Sequence, residues 1–148
     1  MTKTVETVAD PLAVANRLRP VLLHLNRHLR REVHPLGVTG GQVSLLVRIQ
    51  SEPGIGIREL ARRERMSTPG MSKYITKLES QGLVRRREVD DRRRVGLELT
   101  PEASRVLSSV KRRRTAWLAE RLRGLSAAEL DAVDAAVEPL LKLLEVEA

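Results

Sequence analysis

Apolar residues recur at three- and four-residue spacing over most of the chain, which predicts a predominantly helical protein. The first apolar face runs through Leu18, Val21/Leu22, Leu25, Leu29 and Val33. Asp10-Pro11 offers it an N-cap followed by proline at the first helical position. Pro35-Leu36-Gly37 should end it, and Pro20, inside the stretch, should kink or interrupt it. Thr39-Gly40-Gly41-Gln42 has capping-box spacing, and Val43, Leu46, Val47 and Gln50 continue a second helix that Pro53-Gly54 stops. Ile57 to Arg65 reads as a short third helix with Ile57, Leu60 and Ala61 inward. Met66-Ser67-Thr68-Pro69-Gly70 then turns tightly into a fourth helix, capped by Ser67 or Thr68. Met71, Ile75 and Leu78 mark its inner face, and Gly82 its end.

From Leu83 to Val89 the helical period is lost and a strand is predicted. Asp90-Asp91-Arg92-Arg93-Arg94 is a charged turn, and Val95, Leu97 and Leu99 alternate with Arg94, Gly96 and Glu98 in a half-buried return strand. Two short helices joined by a small-residue turn and followed by a basic hairpin form a winged helix-turn-helix. Thr100-Pro101-Glu102 caps a long helix through Val106, Val110, Trp117/Leu118 and Leu122. Ser126-Ala127-Ala128-Glu129 opens a last one, with Leu130, Val133, Val137, Leu140/Leu141 and Leu144 on one face. The expected fold is mainly α with a small β-hairpin.

Charge sharpens this picture. The 148 residues carry 27 Lys and Arg against 19 Asp and Glu, net +8. The excess sits in the middle of the chain, while the last helix is acidic. Six arginines fall between positions 85 and 94 (Arg85, Arg86, Arg87, Arg92, Arg93 and Arg94). A basic module joined to an acidic helix suits a polyanion, and nucleic acid is favoured over a merely solvated charged surface.

Composition also narrows the chemistry. With no cysteine there is no disulfide, thiolate metal site or thiol nucleophile. One Trp, one Tyr and no Phe leave little for stacking on bases. No apolar run approaches the ~18 residues of a membrane span, and residues 1–10 hold no apolar stretch of a secretory signal, so a cytoplasmic protein with no membrane partner is expected. Neither a Ser-His-Asp ordering, a Gly-rich phosphate loop nor a metal-binding carboxylate spacing occurs, so no enzyme and no cofactor are expected. His24 and His28 lie one helical turn apart with Glu32 continuing the row. Without further donors they read as ordinary histidines rather than a metal site.

The element order resembles the MarR family of bacterial transcription regulators. Ile57-Arg58-Glu59-Leu60-Ala61 and the run from Ser67 to Glu79 look like that family's helix-turn-helix. Gln81-Gly82-Leu83-Val84-Arg85-Arg86 looks like the entry to its wing, and Asp91-Arg92-Arg93 with Leu99-Thr100 fits the wing signature Asp-x-Arg-x5-Leu-Thr. Two departures are Arg94, where the family often has a small residue, and Pro20. The resemblance implies an N-terminal helix (residues 1–38) belonging to a dimerisation region, a winged helix-turn-helix DNA-binding domain (39–100), and C-terminal dimerisation helices (101–148).

Residue roles follow from how a helix enters a groove. An α-helix reads the major groove with its N-terminal residues closest to the bases. That nominates Ser67, Thr68, Pro69, Gly70, Ser72, Lys73, Thr76 and Lys77, with Ser67 and the free amides suited to a phosphate. In the wing, Arg93 is the candidate for the minor groove. The family pattern implies that Asp91 holds it, while Arg92 and Arg94 suit phosphate. Arg58, Arg62 and Arg63 are weighed equally as backbone clamps or as solvated charges. The apolar stripes of the terminal helices are too long for a small wing domain to cover; in the resemblance they pair two copies, with Trp117 anchoring that core. Lys111-Arg112-Arg113-Arg114 reads first as a solvated face. However, Arg113 or Arg114 lies near the apolar stripe, where it could meet a small-molecule, anionic effector. The leading expectation is a ligand-responsive repressor that binds near-palindromic double-stranded DNA as a homodimer. The alternative is an architectural, non-specific nucleic-acid binder.

Overall fold

A computed structural model describes residues 8–90 and 94–145. The elements are α1 (Pro11–Arg31), a single 3-10 turn (His34–Leu36), α2 (Gly40–Ser51), α3 (Ile57–Arg63), α4 (Thr68–Ser80), β1 (Val84–Glu88), β2 (Val95–Leu99), α5 (Pro101–Arg123) and α6 (Ala127–Lys142). The mainly helical fold with one hairpin is as expected.

Local capping fixes most boundaries. The Asp10 carboxylate accepts from the Ala13 amide at 3.1 Å, and Thr39 with Gln42 forms a reciprocal capping box, as Ser126 does with Glu129. Ser67 rather than Thr68 caps α4, its Oγ accepting from the Gly70 amide at 3.1 Å. Gly82 stops α4 at φ 74°.

Two expectations need correction. Helix α1 runs through Pro20 without interruption. Proline costs it one amide donor, and the carbonyl so released belongs to an exposed turn that water can reach. Helix α3 stops at Arg63 rather than Arg65, because Arg65 has φ 53° and cannot continue a right-handed helix.

One core serves α2 to α5 and the hairpin. Leu46, Ile49, Leu60, Met71, Ile75, Leu78 and Leu97 are fully buried, and Val33, Val43, Ala103 and Val110 close around them. The inward sides of α3 and α4 are as expected, except that Ile57 is half-buried; so are Val106 and Leu99, and Val95 is exposed. The strands pair antiparallel, with Val84 opposite Leu99 and Arg86 opposite Leu97. The loop before α3 adds a third, one-residue rung. The Leu97 amide donates to the Ile55 carbonyl at 2.9 Å, and the Gly54 amide to the Leu97 carbonyl at 2.8 Å. Gly96 permits this approach, since a Cβ there would lie 2.5 Å from the Gly54 carbonyl oxygen.

No residue of α1 or α6 is buried. Val21, Leu22 and Leu23 on α1, and Leu130, Val133, Val137 and Leu141 on α6, are each more than 40% exposed. No described helix is long and apolar enough to cross a membrane.

Candidate nucleic-acid interface

Helix α4 turns Met71, Ile75 and Leu78 into the core, so geometry leaves its opposite side bare. Thr68, Pro69, Lys73, Thr76 and Lys77 are exposed there, with Gly70 and Ser72 half-exposed. The nominated helix residues therefore share one region that opens to solvent from the helix N-terminus. The Thr76 hydroxyl donates to the Ser72 carbonyl at 2.9 Å, leaving its oxygen free to accept. Tyr74, not singled out by the sequence, is 41% exposed on the flank of this face.

Two contacts hold α4 in place. At its C-terminal end Gln42, only 3% exposed, donates through Nε2 to the Gln81 Oε1 at 3.2 Å. On the wing side Arg86 donates to Glu79 at 2.8 Å. A carboxylate in the last turn of a helix opposes the helix dipole, so Glu79 is better explained by Arg86 than by α4 itself.

Pairing changes the reading of the arginine run. Arg85 and Arg87 both donate to Glu98, the latter at 2.7 Å, and Arg94 meets Asp90 at 3.5 Å. Arg86 is taken by Glu79. The four described arginines of the run are thus each matched to a carboxylate, and much of the net charge there is internally compensated. Arg62 and Arg63 bind Glu59, Arg63 also reaches Glu52, and Arg48 reaches Glu64. Among the described residues of α3, the turn after it, α4 and the hairpin, the cations without a carboxylate within 4.0 Å are Arg58, Arg65, Lys73 and Lys77. The hydrogen bond from Arg62 favours the ionised form of Glu59 and holds its carboxyl below the ordinary pKa. Asp91, Arg92 and Arg93, the expected wing tip, lie outside the described residues.

The basic run of α5 is not a solvated face throughout. Arg113 Nε donates to the Glu32 carbonyl at 2.8 Å, and Arg114 Nε to the Leu29 carbonyl at 3.1 Å. Both guanidinium groups thus meet carbonyls at the C-terminal end of α1, where cations are favoured. Burial, and secondarily the nearby Arg30, lower the Arg114 pKa. Arg114 also borders a groove of about 390 Å³ between α1, α2 and α5, lined by Leu29, Val43, Val47, Leu107 and Leu118. His28 is directed onto Trp117, ring centroids 5.2 Å apart and 18° from parallel, and the Arg121 guanidinium lies 5.0 Å from the same indole. Trp117 is half-buried rather than central to the core of the single chain. Among the described residues no group of three or more His, Asp or Glu is placed to hold a metal ion.

Comparison with known proteins agrees with this geometry. The MarR family model matches residues 38–95. A helix-turn-helix-type transcriptional regulator of Mycobacterium tuberculosis is 30% identical over 133 residues, spanning 89% of this chain and 93% of that protein. A solved Pseudomonas aeruginosa PA01 structure, a candidate transcriptional regulator, is 32% identical with a TM-score of 0.74, covering 90% of this chain and 94% of that one. A MarR family protein from Bacillus stearothermophilus shares the fold at 21% identity and a TM-score of 0.74, over 93% of this chain and 99% of that one. The bare recognition-helix face, the hairpin beside it and these matches together place the chain in the MarR family, as a DNA-binding transcriptional regulator built on a winged helix-turn-helix and not an enzyme.

Proposed function

We propose that the protein is a ligand-responsive repressor that binds a near-palindromic operator as a homodimer in the cytoplasm. The observation that carries the DNA reading is the solvent-open side of α4, whose lysines have no internal partner. In this reading Ser72, Lys73, Thr76 and Lys77 meet base edges and flanking phosphates. Ser67, Thr68, Pro69 and Gly70 bring the helix N-terminus against the backbone. Arg93, held by Asp91, enters the minor groove, and Arg92 and Arg94 contact phosphate.

The exposed leucines and valines of α1 and α6 support pairing with a second copy, since a soluble monomer rarely leaves such contiguous apolar faces uncovered. Residues 1–38 and 101–148 then serve dimerisation and 39–100 serve DNA. The groove between α1, α2 and α5 is a reasonable effector site. Its lining is mostly apolar, and Lys111 and Arg114 at its edge give it cations that suit an anionic ligand. Because the groove adjoins the junction of terminal helices and winged domain, an occupant would bias the separation of the two recognition helices.

The direct test is to select duplexes from a random pool with the purified protein. Inverted half-sites one helical turn apart, roughly 34 Å, are expected. Enrichment of basic-protein-binding DNA without any shared sequence would instead support an architectural binder.

A further inference from the structure

Helices α3 and α4 end in the same backbone motif with different residues at its critical position. After α4, the Gly82 amide donates to the Glu79 carbonyl and the Leu83 amide to the Leu78 carbonyl. After α3, the Arg65 amide donates to the Arg62 carbonyl at 3.2 Å and the Met66 amide to the Ala61 carbonyl at 2.8 Å. This arrangement requires a left-handed residue, and glycine fills it without steric cost. Gly82 does so at φ 74°; Arg65 does so at φ 53° and is the one described non-glycine residue with positive φ. An arginine is thus held in a conformation that disfavours it, in the turn between the two helices of the DNA-reading motif.

Its side chain does nothing visible for the turn. The Arg65 residue is exposed and its guanidinium has no hydrogen-bond or ion-pair partner among the described residues, whereas those of Arg62 and Arg63 just before it are both tied to Glu59. It also lies two residues before Ser67, the N-cap of α4. We propose that Arg65 is a DNA-backbone ligand: the left-handed turn presents its unpaired guanidinium to a phosphate beside the N-terminus of the recognition helix. The inference rests on the reading that α4 faces DNA, and it adds a contact that the sequence pattern does not reveal.

The test compares wild-type protein, Arg65→Gly and Arg65→Lys on a selected duplex and a random duplex across a salt series. Arg65→Gly suits the turn, so its thermal midpoint should equal or exceed that of wild type. Its affinity should fall by roughly three- to ten-fold per half-site on both duplexes alike, and the slope of log affinity against log salt should become shallower by about 1.8, one phosphate contact from each protomer of the dimer. Arg65→Lys should keep the wild-type slope. Wild-type affinity and slope in Arg65→Gly would overturn the inference while leaving the functional reading standing. So would a loss confined to the selected duplex, which means base reading, or a lowered midpoint, which means a role in the turn itself. A wild-type protein that bound neither duplex would overturn both.

Discussion

At the scale of single residues, the exposed side of α4 carries two cations, Lys73 and Lys77, that have no carboxylate partner among the described residues. Lys73 is exposed, without a carboxylate partner, and near the start of α4. Lys73→Ala should weaken binding by ~1–3 kcal/mol and relax preference at one position per half-site if Lys73 reaches a guanine. A titration of operator variants checks this, and equal weakening on all of them would move Lys73 to the backbone. A second residue, Gly96, works through space rather than charge. An alanine Cβ there would meet the Gly54 carbonyl oxygen at 2.5 Å and the Val89 Cγ1 at 2.6 Å. Gly96→Ala should therefore push the 52–56 loop off the hairpin and cost about 1–3 kcal/mol. Urea unfolding would show it, and an unchanged midpoint would mean that the rung is dispensable. Much of this scale was hidden in the sequence. Nothing in the spacing of Glu79 and Arg86, or of Glu98 with Arg85 and Arg87, announces a pair, because strand pairing and helix packing create both contacts. Arg65 carries no sequence signal of a left-handed residue, and only the backbone exposes it.

At the scale of elements, sequence and structure agree where the determinants are local. The caps at Asp10, Thr39 and Ser126 and the stop at Gly82 depend on near neighbours and are legible, while the cap of α4 is narrowed only to Ser67 or Thr68 until the backbone selects Ser67. Pro20 does not end α1, because a proline in an exposed helix removes one hydrogen bond without having to stop the helix. The basic run in α5 is not legible locally, since only the packed end of α1 explains Arg113 and Arg114. The Ser126 cap makes a pH prediction. The Ser126 amide and hydroxyl hydrogen-bond to the Glu129 carboxylate and hold its pKa below the ordinary value. A depressed folded pKa contributes stability above the unfolded pKa, near 4.5, and that contribution is lost as pH falls through the folded value. Glu129→Gln keeps an acceptor but cannot titrate. Its thermal midpoint should lie below wild type at neutral pH and approach it in acid. A constant gap at all pH values would show that the charge contributes nothing.

At the scale of the whole molecule, a winged-helix core that includes the start of α5 carries two helices, α1 and α6, none of whose residues is buried in the single chain. Removing α6 by ending the chain at Arg123 should consequently spare the core and eliminate pairing. The shortened protein should sediment as a monomer and lose operator affinity by about 100-fold or more, the advantage of binding two linked half-sites. A shortened protein that remains a fully binding dimer would place the interface elsewhere. The central claim is sequence-specific recognition by α4 and the wing, as opposed to attraction between a +8 protein and any polyanion. The most direct measurement is the ratio of affinities for the selected duplex and a scrambled duplex of equal length, at one fixed salt concentration near 0.15 M. A ratio of about 1,000 or greater is predicted, as specific regulators show over their own non-specific binding. A ratio near one, with affinity governed by salt alone, would contradict the account.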